Sequence, residues 1–284
     1  MKLFLFFLLI TIMHFQLISQ EICSPGDIKI FNSIINFSKQ THLSDSSIDR
    51  IILETGKQFL GTPYVGGVLD EPENENLVIN LTGLDCVTFL ESTLALAIII
   101  KSDKAGFSDF CRELKYIRYR NGIMNGYGSR LHYFYDWIRD NEQKGILENI
   151  TKEIGGISFD KKIEAMSAQR DKNPHLKNDS AFRAIRKAEE ELTLMDKYFI
   201  PKEEIKKAES KIHDGDLVAF ATTLQGMEVA HVGIAIHLNN ELHLMHASSL
   251  DKKVEISDIT LSEFAFKKAS YLGIIVARIQ RPQL

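Results

Sequence analysis

The chain has 284 residues, of which 44% are hydrophobic and 25% are charged, a composition typical of a soluble globular protein. Its formal net charge of -4 and pI near 6.2 argue against a nucleic-acid-binding protein, because such proteins usually carry a strongly basic face. Three cysteines are too few for a disulfide scaffold, and their odd number leaves at least one thiol unpaired.

The first twenty residues predict a secretory signal peptide. They combine Lys2 with an apolar run from Leu3 to Met13 and end in small or polar residues near Ser19. This run is shorter than the roughly 20 apolar residues that a membrane-spanning helix needs, so we expect no stable membrane insertion. Cys23 is not preceded by the small residues of a lipoprotein cleavage site. We therefore expect one mature domain, residues 21–284, in the periplasm or cell envelope.

Apolar spacing predicts helices in the first half of the chain. Residues 27–41 have apolar side chains at helical spacing, and a second such pattern starts at Ile48 after a Ser/Asp cap. The stretch "GTPYVGG" reads as a tight turn, and "LVINL" reads as a short strand. Residues 86–100 are apolar on nearly every side, which predicts a helix buried in the domain centre.

The second half of the chain changes in character. Residues 108–145 predict two helices around the glycine-rich stretch "NGIMNGYGSR", and the heavily charged residues 160–210 predict an inserted helical lobe. From residue 214 onward, "DGDLVAFAT", "EVAHVGIAIHL", "ELHLMHAS" and "GIIVARIQ" predict strands joined by turns. Helices followed by an antiparallel sheet indicate an α+β fold.

Cys86 is the first candidate for chemistry, because "LTGLDCVTFLEST" places it where the buried helix begins. Asp85 is a candidate N-cap. Backbone N–H groups and the helix dipole favour negative charge at such a position, so we expect the helix start to lower the pKa of the thiol. The alternative is a buried, inert cysteine, which is the commoner role of this residue.

His231 and His246 are the candidate partners of the thiol. The alternation in "EVAHVGIAIH" puts Val232, Ile234 and Ile236 on one face of a strand and His231 on the other. Hairpin geometry can bring His246 of "ELHLMHAS" beside His231, where a neutral imidazole can accept its second N–H. Each histidine alone is more often structural, but a thiol hydrolase requires a base and an orienting group of this kind.

Other chemistries have weaker signals. Zinc is the competing interpretation, since His231, His237, His243 and His246 are clustered, but neither His-Glu-x-x-His nor Cys-x-x-Cys occurs. We therefore expect no metal site and no cofactor. A serine nucleophile is not indicated either, because the Gly-x-Ser-x-Gly motif is missing from the sequence.

The ordered motifs "GTPYVGG", "LDCVTF", "GDLVAF...VAHVGIAI" and "LMHASS" resemble the NlpC-type superfamily of papain-like cell-wall cysteine hydrolases. The stretches "NLTGLDCVTFLE" and "SRLHYFYDWIRDN" are similar to its N-acetylmuramoyl-L-alanine amidase-like branch. The resemblance runs from about Gly61 to the C-terminus and implies a papain-like NlpC-type fold, with a sheet packed against the helix headed by Cys86. Val87 replaces the serine of the common "DCSG" motif, which favours the specialised branch.

The resemblance also implies site roles. Cys86 would be the nucleophile, His231 the general base and His246 the group that orients it, while Tyr64 would lie near the thiolate and help bind the scissile amide. The thiolate would attack the amide carbonyl, with the oxyanion held by backbone N–H groups at the helix start, and water would resolve the thioester.

Arg130, His132 and Asp136 are further candidates, because "SRLHYFYDW" places these polar groups on a short aromatic-rich stretch. They could line the substrate groove, with Arg130 against a peptide carboxylate. The equally weighted alternative is a capped amphipathic helix with solvated charges.

These observations predict an exported cysteine amidase that cuts between N-acetylmuramic acid and L-alanine in peptidoglycan fragments. Two alternatives stay open at this point. One is a D-glutamyl endopeptidase of the same superfamily that cuts within the stem peptide, and the other is a non-catalytic muropeptide-binding protein. We also expect the charged lobe at 160–210 to border the groove and to restrict substrate length.

Overall fold

The computed structural model describes residues 21–104 and 106–280, and the predicted signal peptide lies outside them. Helices dominate the first half of this region and an antiparallel sheet dominates the second, so the predicted α+β class is confirmed. The described α-helices are α1 (Pro25–Gln40), α2 (Ile48–Lys57), α3 (Cys86–Lys101), α4 (Phe107–Arg118), α5 (Phe134–Gln143), α6 (Asp179–Leu194), α7 (Ile205–Ala208) and α8 (Leu261–Phe266). The described strands are β1 (Glu21–Ile22), β2 (Leu77–Val78), β3 (Leu147–Asn149), β4 (Ile157–Ser158), β5 (Tyr198–Pro201), β6 (Leu217–Thr222), β7 (Val229–Leu238), β8 (Glu241–Ser248), β9 (Lys253–Ile256) and β10 (Tyr271–Ile279).

The main sheet has the strand order β4-β5-β10-β6-β7-β8-β9, with β3 also paired to β10, and its pairings are antiparallel. Strands β1 and β2 form a separate parallel pair. One hydrophobic cluster packs the first five helices, α1 through α5, against one face of the main sheet. A second cluster packs α7 and α8 against the other face. The sheet is therefore covered on both faces.

The hairpin β7–β8 carries the alternation expected from the sequence. Val232, Ile234 and Ile236 belong to the cluster on the α3 side, whereas Ala235 belongs to the cluster on the α8 side. Residues Asn239 and Asn240 form the connecting turn, both with positive φ, which asparagine tolerates better than most residues. The predicted hairpin is confirmed.

Helix α3 lies at the centre of the molecule, as its apolar sequence predicts. Side chains on every side of it are buried, and it packs against α2, α4 and the β7–β8 hairpin. Asp85 caps its N-terminus, because the Asp85 carboxylate accepts the Thr88 backbone N–H at 2.8 Å. Across the described chain, no helix combines the length and apolar character that crossing a membrane requires.

The segment 160–210 differs from the expected helical lobe. Helix α6 occupies part of it, but residues 198–201 form strand β5, which pairs with β10 in the main sheet. Phe199 and Ile200 are buried there, so the end of the segment belongs to the core of the domain. The charged composition hid this strand, since a strand of four residues leaves little alternation to read.

Candidate active site

A cavity of about 620 Å³, here called the reactive cavity, has both Cys86 and His231 in its wall. Its lining comes from the start of α3, from residues 131–137, from residues 165–175 and from residues 227–232. These parts are far apart in sequence, so only folding brings them together.

Cys86 is the first residue of α3 and is half-buried. Burial, followed by the nearby Asp85 charge, raises the pKa of the thiol to about 12. Backbone N–H groups of Val232, Cys86 and Val87 act in the opposite direction and favour the thiolate. The expectation that the helix start gives a lowered pKa is therefore wrong, because loss of water outweighs the helix N–H groups. The resting thiol is neutral at pH 7.

His231 and His246 are neighbours, as the hairpin predicts. His231 Nε2 lies 2.8 Å from His246 Nδ1, and the two rings meet edge to face with centroids 4.8 Å apart. Phe264 of α8 packs against both rings. With Nε2 engaged, His231 Nδ1 is the ring nitrogen that is free to act on another group.

Burial sets the charge of this pair. It lowers the pKa of His231 to about 3, with His246 and Lys268 adding to the shift, and it lowers the pKa of His246 to about 4. Both imidazoles are therefore neutral at pH 7, and one donates the shared hydrogen bond while the other accepts it. A neutral His231 is able to accept a proton, which is the state that a general base needs.

Tyr64 lies close to Cys86 but does not line the reactive cavity. Its backbone N–H bonds to Lys252 O at 2.9 Å, which fixes the turn that carries it. Burial raises the pKa of its phenol, and the neighbouring Cys86 and Asp85 add to this shift. The hydroxyl therefore stays protonated and can donate a hydrogen bond.

Of the three candidates in "SRLHYFYDW", only His132 lines the reactive cavity. His132 Nε2 lies 2.8 Å from Tyr127 O, and burial lowers the pKa of the ring to about 3. The same stretch also contributes Leu131, Tyr133, Phe134 and Trp137 to the wall, and these apolar positions were not singled out from the sequence.

Arg130 and Asp136 are instead buried structural residues, so placing them in the groove was wrong. Arg130 is 5% exposed, bonds to Leu69 O at 2.8 Å and pairs with Asp70. Asp136 is 1% exposed and accepts bonds from Arg120 at 2.6 Å and Arg139 at 2.8 Å. Neither lines the reactive cavity. The sequence does not show whether a charged side chain is paired within the protein or free to bind a ligand, because the pairing residues are distant in the chain.

Residues 165–175 form the cavity wall that the sequence placed in the charged lobe. Glu189 of α6 holds the start of this wall, since its Oε1 accepts the backbone N–H groups of Met166 at 3.2 Å and Ser167 at 2.9 Å. At the other end, the His175 ring stacks on Tyr127 with centroids 4.4 Å apart. His175, which the sequence did not single out, lines the cavity as well.

Glu228 is a lining residue that sequence reasoning missed. Its carboxylate is 1% exposed and accepts the Tyr135 backbone N–H at 3.0 Å, at the start of α5. Burial raises the pKa of Glu228, while that N–H group opposes the shift. In the sequence its one distinguishing feature is that it precedes His231 by three residues. This spacing alone does not predict that the side chain enters the cavity.

A second cavity, of about 1170 Å³, lies beside the first and shares Asp70, Pro174 and His175 with it. Its lining is mainly polar and includes Lys177. It contains neither Cys86 nor His231, so it is separate from the thiol and imidazole groups.

The histidines that suggested a zinc site, apart from the pair His231 and His246, each bind a different protein group. His237 pairs with Asp214 at 2.8 Å, and His243 Nδ1 lies 2.9 Å from Ser257 O. In the part of the chain that the structure describes, no group of three or more His, Cys, Asp or Glu residues is placed to hold a metal ion. All three cysteines are free thiols.

Comparison with known proteins assigns the chain to a family. Residues 54–274 match the AmiA-like family, described as N-acetylmuramoyl-L-alanine amidase-like. This match covers most of the chain, so the chain belongs to that family and is an amidase. No curated protein matches the chain.

Several solved structures are similar to this chain. An N-acetylmuramoyl-L-alanine amidase from Bacteroides uniformis is 33% identical, with a TM-score of 0.76, over 83% of this chain and 100% of that chain. A Bacteroides fragilis protein, provisionally described as a xylanase, is 34% identical with a TM-score of 0.72, over 79% and 99% of the two chains. A Legionella pneumophila protein shares the fold at 21% identity and a TM-score of 0.67, over 90% and 96% of the two chains.

Proposed function

We propose that this amidase hydrolyses the bond between N-acetylmuramic acid and L-alanine in peptidoglycan fragments, using Cys86, His231 and His246 on a papain-like NlpC-type fold. One observation carries the proposal: Cys86 and His231 line the same cavity, and His246 lies 2.8 Å from the second nitrogen of His231. The named activity of the Bacteroides uniformis relative supports the choice of bond.

In this mechanism the resting thiol and imidazole are both neutral. As the Cys86 sulfur attacks the amide carbonyl carbon, His231 removes the thiol proton, so that charge develops only during the reaction. The carbonyl oxygen becomes an oxyanion, which the backbone N–H groups at the start of α3 stabilise. The neutral Tyr64 hydroxyl can add a further hydrogen bond to that oxyanion.

Collapse of the tetrahedral intermediate breaks the carbon–nitrogen bond. The leaving amine of the peptide takes the proton from His231, and the muramoyl group stays on Cys86 as a thioester. A water molecule then gives a proton to His231 and attacks the thioester. The carbon–sulfur bond breaks and His231 returns the proton to the Cys86 sulfur, which regenerates the thiol. The other product is the muramic carboxylic acid, which ionises in water. His246 keeps the His231 ring in the required orientation throughout.

The decisive test is product analysis with a defined muropeptide. Wild-type protein should release a free sugar and an intact peptide, whereas Cys86→Ala should release neither. Cys23→Ala is the matched control, because Cys23 is a half-buried thiol that does not line the reactive cavity, and it should keep full turnover. Full activity of Cys86→Ala would exclude the proposed nucleophile.

The same assay separates the alternatives. A sugar that still carries L-Ala-D-Glu indicates a D-glutamyl endopeptidase, and binding without any product indicates a muropeptide-binding protein. Loss of turnover with a chelator but not with iodoacetamide indicates a zinc amidase.

We further propose that the enzyme is exported and acts in the periplasm or cell envelope as one domain, residues 21–284. This rests on the signal-peptide pattern of residues 1–20. N-terminal sequencing of the protein recovered from the cell envelope should give a start near residue 21, and an intact Met1 in that fraction would contradict the proposal.

A further inference from the structure

The charged residues in the wall of the reactive cavity differ in how they are partnered. Asp70 pairs with Arg130, and the Glu228 carboxylate accepts a backbone N–H at the start of α5. The Lys172 side chain, in contrast, has no ion pair and no hydrogen bond within residues 21–104 and 106–280. Its ammonium group is the unpartnered charge that this cavity offers to a ligand.

Three cations that precede Lys172 in the same segment are engaged with the protein. Lys161 donates to Thr222 O, Lys162 pairs with Glu164, and Arg170 pairs with Asp179. Arg130, which the sequence suggested for a peptide carboxylate, is neutralised by its own acidic neighbours. A carboxylate in the reactive cavity would therefore find its cationic partner in Lys172.

The backbone around Lys172 is fixed on both sides. Lys172 ends the 3₁₀ turn Ser167–Lys172, whose start is held by the Glu189 carboxylate. The next residue, Asn173, donates from its side chain to the Tyr127 hydroxyl at 3.1 Å and caps the following turn. The position of the Lys172 Cα is thus set by contacts that do not involve its own side chain.

We infer that Lys172 is a specificity-determining residue of the reactive cavity and binds a carboxylate of the peptide part of the substrate. This inference rests on the proposed function, because stem peptides of peptidoglycan carry free carboxylates. It also gives the segment 160–210 a role in substrate binding, because Lys172 belongs to the same cavity wall as Cys86 and His231. An ammonium–carboxylate contact is a charge-assisted hydrogen bond and acts on substrate affinity.

The test compares one muropeptide in two forms, with all stem carboxyl groups free or all converted to carboxamides. Wild-type enzyme should show about a tenfold lower KM for the free acid, as expected for one charge-assisted contact, and Lys172→Met should remove this preference. The preference should also shrink as salt is raised, because ions screen an exposed charge pair. Lys177→Met is the matched control, since Lys177 is exposed and unpartnered in the same part of the described chain but lines the second cavity.

The outcomes separate the two proposals. Equal KM values for both forms with wild-type enzyme, or a preference that survives Lys172→Met, would overturn the role of Lys172 and leave the amidase proposal intact. If wild-type enzyme cleaves neither form, the proposed function fails, and calorimetric binding of both forms to wild type and Lys172→Met then decides the role of Lys172. Equal binding of the two forms, or no binding of either, would overturn it.

Discussion

Glu91 and Arg118 form an ion pair in the core, and breaking it should destabilise the domain strongly. Glu91 lies on α3, the helix that starts with Cys86, and Arg118 ends α4. Their Nε–Oε2 distance is 2.7 Å and each side chain is 2% exposed. Glu91 Oε1 also accepts the indole N–H of Trp137 at 3.1 Å, which ties α5 and the cavity wall to the same carboxylate.

In Glu91→Gln the shape and the acceptor for Trp137 are kept, but buried Arg118 loses the only carboxylate with which it forms an ion pair among the described residues. Removing one partner of a buried pair typically costs about 3–5 kcal/mol. For a domain of this size that cost corresponds to a fall in Tm of about 6–20 °C. The Arg118 bond to Val78 O, at 2.6 Å, survives but supplies no negative charge, so it cannot compensate.

The assay is urea unfolding at pH 7, with the m-value checked to be unchanged. Glu91→Gln combined with Arg118→Met removes both charges and should recover most of the loss, to within about 2 kcal/mol of wild type. A loss below about 1 kcal/mol in Glu91→Gln alone would refute the reasoning. The reasoning would also be refuted if the double variant lost more unfolding free energy than the two single variants lose together.

Three further predictions concern pH and the cavity wall. Because burial raises the pKa of Cys86 to about 12, its alkylation by iodoacetamide should accelerate about tenfold per pH unit from pH 7 to 10, and a plateau below pH 8 would contradict a neutral resting thiol. Folding lowers the pKa values of His231 and His246 to about 3 and 4, so below about pH 6.5 these rings bind protons more readily in the unfolded chain. The free energy of unfolding should therefore be highest above about pH 6.5 and fall below it, by up to about 1.4 kcal/mol per pH unit for each ring. Urea unfolding at pH 7, 6 and 5 checks this, and an unchanged midpoint would contradict it. Gly226 has φ +74°, and an added Cβ would lie 2.8 Å from the Ala165 nitrogen. Gly226→Ala should therefore lower the free energy of unfolding by about 1–3 kcal/mol and raise KM, because residues 165–175 would move. A variant with wild-type stability and KM would contradict this.

The sequence by itself determined that helices come first and an antiparallel sheet last, and it determined the local setting of Cys86 and His231. The apolar run after Asp85 predicts α3 with Cys86 at its start, because capping and helix burial are local properties of a few residues. The alternation around His231 likewise predicts the hairpin that places His246 beside it. Strand β5 escaped this reasoning, since its four residues lie in a charged segment and are held by pairing with the distant β10.

Tertiary structure alone decided which polar groups are available and what charge they carry. Arg130, Asp136 and Lys172 look equally exposed in the sequence, but the first two are neutralised by residues that only the fold brings near. The pKa of Cys86 also depends on the fold, because the loss of water around the cavity exceeds the effect of the helix start. Ion-pair partners and loss of water both depend on residues that are distant in the chain and close in the fold. The sequence pattern therefore predicts neither of them.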